Sequence, residues 1–191
     1  MVIAMTPLEI IAAALGITSV WLTVRQNPLC WPIGLVMVLL YAWFFLDARL
    51  YSLVLLHGVF AAMQLYGWWQ WNQGLDDSGQ RPVSSASARE VGLGLFAALI
   101  LGLLLGLAMD RFTEAAYPWP DALLTAFSLL AQLWMALKRW QCWVLWVVVD
   151  VLYVGFFAFQ SYWLTAGLYG VFIALALLGL HEWRASRVQP T

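Results

Sequence analysis

The chain has 191 residues, 64% of them hydrophobic and only 10% charged, with 13 tryptophans and a formal net charge of −1. A soluble domain carries about 25% charged residues and under half apolar ones. Nothing of this length could hide so much apolar surface in water, so composition points to an integral membrane protein. The charge balance carries no nucleic-acid signal. The two cysteines, Cys30 and Cys142, and the two histidines, His57 and His181, lack the spacing of a hydrolytic zinc cluster.

In chain order, apolar segments run over 7–24, 29–46, 50–71, 91–109, 121–138, 142–160 and 162–183. Each has roughly the 18 to 24 residues a helix needs to cross about 30 Å of hydrocarbon. The runs are continuously apolar, which excludes the alternation of a transmembrane barrel. The first segment leads directly into the next without a small-residue cleavage site, so it reads as a span and not as a removable signal. One long polar connection, 72–90, contains Gly74, Asp76, Asp77, Ser78, Gly79 and Pro82 and reads as a flexible linker after span three.

Charge predicts the orientation. The loops after spans one, three and five, with the C-terminal tail, hold Arg25, Arg81, Arg89, Lys138, Arg139, Arg184 and Arg187, whereas the other side holds only Arg49 and Arg111. Positive charge in short loops marks the cytoplasmic side. The expected topology is an outside N-terminus and a cytoplasmic C-terminus.

The chain also resembles itself at an offset of 112 residues. Cys30–Trp31 falls on Cys142–Trp143, L-Y-A-W-F-F (40–45) on L-Y-V-G-F-F (152–157), and G-V-F-A-A (58–62) on G-V-F-I-A (170–174). Gly67 and Trp71 fall on Gly179 and Trp183. Spans one to three therefore repeat as five to seven, with span four as an inverting linker. The expected fold is an all-α membrane protein of seven transmembrane helices in a 3+1+3 parallel internal repeat. Its divisions are 1–72, a linker and fourth helix over 73–110, and 111–191. Parallel repeats of this kind occur in transporters, with the substrate near the bilayer midplane.

Of ten acidic residues only Asp150 lies deep in a span, about eight residues or roughly 12 Å along the sixth. Burying it costs about 2.5–3.5 kcal/mol on insertion scales, so such a residue is read as functional unless a single interhelical hydrogen bond of a protonated carboxyl explains it. Trp143, Trp146, Asp150 and Tyr153 share one helix face by spacing. Thr125, Ser128 and Gln132 form a polar stripe on span five, His57 and Gln64 lie seven residues apart on span three, and Tyr41 is the repeat mate of Tyr153. Aromatic faces suit a flat or cationic ring, and amides with a carboxylate suit its hydroxyls. Ser, Thr and Gln also serve simply to join helices. The Y-G-W-W-Q-W run (66–71) fits an interfacial aromatic belt.

These residues carry a resemblance over nearly the whole chain. W-V-L-W-V-V-V-D (143–150) is similar to the W-x-x-W-x-x-x-N/D motif of the PnuC family of bacterial vitamin transporters. Y-G-W-W-Q-W closing span three and D-A-L-L-T-A-F-S-L-L-A-Q (121–132) opening span five agree with it. The resemblance implies a homotrimer in the bacterial cytoplasmic membrane, with protomers arranged like SWEET sugar transporters. It implies facilitated diffusion of nicotinamide riboside without a cofactor, the vitamin being trapped by a cytoplasmic kinase. Trp143, Trp146, Asp150 and Gln132 would line the site. Many family members have Asn where this chain has Asp150, and His57 and Gln64 depart from the expected span-three pattern. Those changes bear on the substrate, and thiamine follows nicotinamide riboside as the expected cargo, with neutral riboflavin behind it.

Other classes fit less well. Hydrolysis within a bilayer needs a metal cluster or an activated nucleophile, and one aspartate with one histidine is a thin set. A proton relay wants several carboxyls in series. The only lysine, Lys138, stands at a span end, where it cannot hold retinal.

Overall fold

In a computed structural model that describes residues 7–47, 51–76, 79–114 and 116–187, the chain forms seven helices among those residues. Arg49, Asp77 and Ser78 of the sequence argument lie outside them. The helices are α1 Pro7–Val24, α2 Cys30–Asp47, α3 Tyr51–Trp71, α4 Ala88–Phe112, α5 Pro118–Ala136, α6 Gln141–Phe159 and α7 Trp163–Ala185, so each apolar segment becomes one helix. Length and composition alone qualify α4, α6 and α7 to cross a membrane, and Ile10–Val24 and Cys30–Phe44 are shorter apolar stretches.

The helices divide into two compact units, Met1–Arg81 and Pro82–Thr191. In the first, α2 packs on both α1 and α3. In the second, α4 lies along α5, α5 against α6, and α6 against α7. α4 meets α5 through its smallest residues, Ala98, Gly102 and Gly106, all buried. Small side chains let helix backbones approach closely where no hydrophobic force drives them together. The fourth helix, set apart with the linker by the sequence reading, thus packs within the second unit.

α4 begins three residues before the expected boundary because Ser87 and Glu90 form a capping box. Such a cap satisfies two backbone donors that would otherwise be orphaned at the helix start. The preceding segment departs from the expected flexible linker. The backbones of Ser84 and Lys138 are joined at 2.9 Å, and Trp140 donates back to the Ser84 carbonyl at 3.2 Å. Trp140 Nε1 donates to Ser85 Oγ at 2.8 Å, and Gln141 exchanges two hydrogen bonds with the backbone of Ala86. Arg139 reaches the Ser85 carbonyl and pairs with Glu90 at 3.0 Å. The serines that suggested flexibility from composition bind this stretch to the α5–α6 turn.

Each unit builds the same features at positions 112 apart. α1 and α5 both end in a left-handed residue, Gln26 (φ 55°) and Lys138 (φ 52°). Gln26 donates to Thr23 and Lys138 to Met135, each at 3.0 Å, and Asn27 and Arg139 reach back to Leu22 and Trp134 at 2.9 and 2.8 Å. A left-handed terminal residue is a common way to satisfy the last carbonyls of a helix. Trp31 and Trp71 then meet edge to face at 5.4 Å and 85°, as Trp143 and Trp183 do at 5.4 Å and 89°. A Cβ on Gly67 would stand 2.2 Å from the Trp31 ring, and one on Gly179 2.4 Å from the Trp143 ring. Glycine is required at both places because the indole occupies the space of a side chain.

Candidate functional site

The second unit holds most of the expected site residues on two neighbouring helices. Asp150 lies in the middle of α6 and is only 3% exposed. It makes no hydrogen bond or ion pair with any described residue. Trp146, one helical turn away, presents a buried indole N–H that also lacks a partner among the described residues. Side chains four apart on a helix are neighbours, so the carboxylate and this donor share one patch. On α5, the half-buried Gln132 likewise leaves its amide uncommitted among the described residues.

Tyr153, Ser128 and Thr125 lie close together on α6 and α5. The Ser128 hydroxyl donates to the Leu124 carbonyl at 2.8 Å. The Tyr153 hydroxyl has Ser128 and Thr125 nearby and the carboxylates of Asp121 and Asp150 within electrostatic range. The Tyr153 ring stacks on Tyr169 at 4.6 Å and on Phe157 at 5.8 Å, and Phe157 stacks on Tyr169 at 5.4 Å. Tyr153 therefore joins α6 to α7 through its ring. It also stands one turn beyond Asp150 as a border of the polar patch.

Spacing groups Trp143 with Trp146 and Asp150, but packing separates it from them. Trp143 is 1% exposed and is closed in by Trp183 and the bare Cα of Gly179. Its twin Trp31 has the same surroundings and the same unpaired indole N–H. Trp143 packs in the α6–α7 contact as Trp31 packs between α2 and α3.

The first unit carries the remaining candidates. Tyr41 and His57 meet at 5.8 Å with their rings tilted by 51°, and His57 meets Phe60 edge to face at 6.3 Å. The mates of these residues form the Tyr153–Tyr169 stack and the Tyr169–Phe172 edge contact at 5.8 Å. Tyr169 is absent from the expected site, although the repeat would have found it as the mate of His57. Gln64 is half-buried on α3, with its amide against Gly34 of α2 and no hydrogen bond to a described residue. Its mate is Ala176.

The structure also contains a groove of about 950 Å³ on α4, α5 and α6, bordered by Leu95, Trp119, Phe127, Val148, Leu152 and Phe156 among others. Its walls are almost wholly apolar and include none of the candidate residues. A hydroxyl-bearing solute would lose its hydrogen bonds there. Among the described residues no cluster of His, Cys, Asp and Glu could hold a metal.

Paired apolar helices around a small number of polar and aromatic groups uncommitted among the described residues are compatible with a membrane transporter. The sequence profile of the nicotinamide mononucleotide transporter family matches residues 6–185, and the chain belongs to that family. It is similar to the riboflavin/roseoflavin transporter RibM of Streptomyces davaonensis, at 26% identity over 92% of this chain and 83% of that one. It is similar as well to the nicotinamide riboside transporter PnuC of Escherichia coli K12, at 24% identity over 92% of this chain and 84% of that one. The crystal structure of the vitamin B3 transporter PnuC shares the fold, with a TM-score of 0.76 at 21% identity over 93% of this chain and 80% of its own. The protein is thus a vitamin transporter of the PnuC family, built from seven helices.

Proposed function

We propose that this transporter carries nicotinamide riboside by facilitated diffusion, and that the Asp150–Trp146 patch binds it. The observation that carries this reading is a buried carboxylate with no cation or hydrogen bond from a described residue, one turn from an unpartnered indole N–H. A lone carboxylate in hydrocarbon is costly, and a pyridinium ring with ribose hydroxyls supplies both the charge and the donors it lacks. Trp146 offers its face to the ring and its N–H to an acceptor. Tyr153 and Gln132 border the patch, with Thr125 and Ser128 close to Tyr153.

Riboflavin is the second reading, favoured by the similarity to RibM. Its ring is neutral and matches a carboxylate less well than a cation does. Thiamine, cationic through its thiazolium, is the third. Binding titrations of the purified protein with nicotinamide riboside, riboflavin and thiamine side by side decide among them. Tightest binding of nicotinamide riboside supports the first reading, and its failure to bind while riboflavin binds overturns it.

The same proposal includes a homotrimer in the bacterial cytoplasmic membrane, an outside N-terminus, and trapping of the vitamin by a cytoplasmic kinase. The charge distribution of the loops supports the orientation.

A further inference from the structure

We propose that the groove of about 950 Å³ on α4, α5 and α6 binds one anionic phospholipid, with an acyl tail along α6 and the head group held at the Trp140 end by Arg184. Every residue involved belongs to the unit Pro82–Thr191. The lining contains no charged side chain. Val148 and Leu152 each stand two residues from Asp150, which places them across α6 from the vitamin patch. From Gln141 to Phe156 the α6 wall runs about 22 Å at 1.5 Å per residue. One leaflet of a bilayer is about 15 Å deep in hydrocarbon, so the groove takes an entire acyl tail. Val144, Val148 and Leu152 on that wall remain exposed. Lipid tails are as apolar as these side chains, so the choice of lipid falls to the polar end of the groove.

That end carries one uncommitted charge. Trp140 lines the groove, gives its indole N–H to Ser85 Oγ at 2.8 Å, and has the Arg184 guanidinium 4.3 Å from its ring centre. Gln141, also in the lining, has both ends of its amide bound to the Ala86 backbone. Arg139 is paired with Glu90 at 3.0 Å. Arg184 is exposed and makes no ion pair with a described residue. The indole face attracts the guanidinium and leaves its N–H donors to an anion. Guanidinium donors match phosphate oxygens two at a time, and basic residues between membrane helices select anionic head groups. An apolar groove ending in a seated cation complements an amphiphile with an anionic head.

The test is native mass spectrometry of the full chain in detergent, given equal amounts of phosphatidylglycerol and phosphatidylcholine with identical acyl chains. Wild type should retain one phosphatidylglycerol per protomer, about fivefold over phosphatidylcholine, which is the effect of one arginine near an anionic lipid. Arg184→Gln should remove that preference, and Arg184→Lys should keep most of it. Val148→Trp fills the groove and should lower retention of both lipids. Where this variant fails to fold, Val144→Trp on the same wall carries the same expectation. Glycerol 3-phosphate, a head group without tails, should not displace the lipid. Equal retention of the two lipids by wild type overturns the proposal, and so does a preference that survives Arg184→Gln. Undiminished retention after groove filling, or displacement by glycerol 3-phosphate, overturns it as well. Groove filling that splits an oligomer and leaves lipid retention unchanged makes this face a contact between copies of the chain, and the lipid site falls.

Discussion

The indole of Trp143 meets that of Trp183 edge to face at 5.4 Å and 89°, and the bare Cα of Gly179 completes the enclosure. Trp31, Trp71 and Gly67 build the same contact in the first unit. Edge-to-face aromatic pairs add about 0.5–1.5 kcal/mol beyond their buried area, and replacing a buried Trp by Ala costs about 3–5 kcal/mol. Trp143→Ala and Trp31→Ala should therefore lower thermal stability in detergent by similar amounts. Trp146→Ala should cost less stability and should abolish vitamin binding. Melting curves read beside binding titrations check the contrast, and equal binding losses with equal stability losses for Trp143→Ala and Trp146→Ala would count against it.

Asp150 separates charge from shape. Asp150→Asn keeps the size and one acceptor but removes the charge. Hydrogen bonds to charged groups contribute about 1.5–3 kcal/mol, so affinity for a cationic vitamin should fall roughly 10- to 100-fold. Affinity for neutral riboflavin should move little. Asp150→Ala should abolish uptake of the cationic vitamin while the protein remains folded. Normal uptake by Asp150→Ala would refute the proposed site.

Coupling is tested without mutation. The chain has a single carboxylate deep in an apolar run. Protein reconstituted in liposomes should bring the vitamin to equal concentrations on both sides with no ion gradient imposed. Accumulation driven by sodium or protons would contradict facilitated diffusion.

The segment before α4 offers a stability test. The Arg139–Glu90 pair is partly exposed, at 27% and 52%, so breaking it alone should cost little stability. Ser85→Ala, which leaves the Trp140 indole N–H without its acceptor, should cost about 0.5–1.5 kcal/mol. Combining Glu90→Gln, Ser85→Ala and Gln141→Ala should free the segment and speed tryptic cleavage at Arg89. Cleavage no faster than in wild type would show that backbone bonds alone hold it.

Much of the molecule is legible without coordinates because hydrocarbon leaves few options. Backbone groups have no water to bond to, so a long apolar run becomes a helix, and each expected span appears within a few residues of its place. The offset of 112 residues is legible as well, since Trp, Gly and Cys do not align in one register through apolar composition alone. Asp150 stands out by the same logic, as the one carboxylate deep in an apolar run. Helical periodicity, however, assigns a residue to a face without saying what that face meets. Trp143 and Trp146 are three residues apart and both keep an unpartnered indole N–H among the described residues, yet Trp143 is closed into a tryptophan pair. Ser128, Gln132 and Thr125 form one stripe, yet the Ser128 hydroxyl is bonded to the Leu124 carbonyl while Gln132 remains uncommitted among the described residues. Composition made the linker flexible, but its serines found partners on a turn some 55 residues away. Burial cost and chain periodicity are local quantities that a sequence carries. Which polar groups are already satisfied depends on neighbours from other helices, and only the tertiary structure decides that.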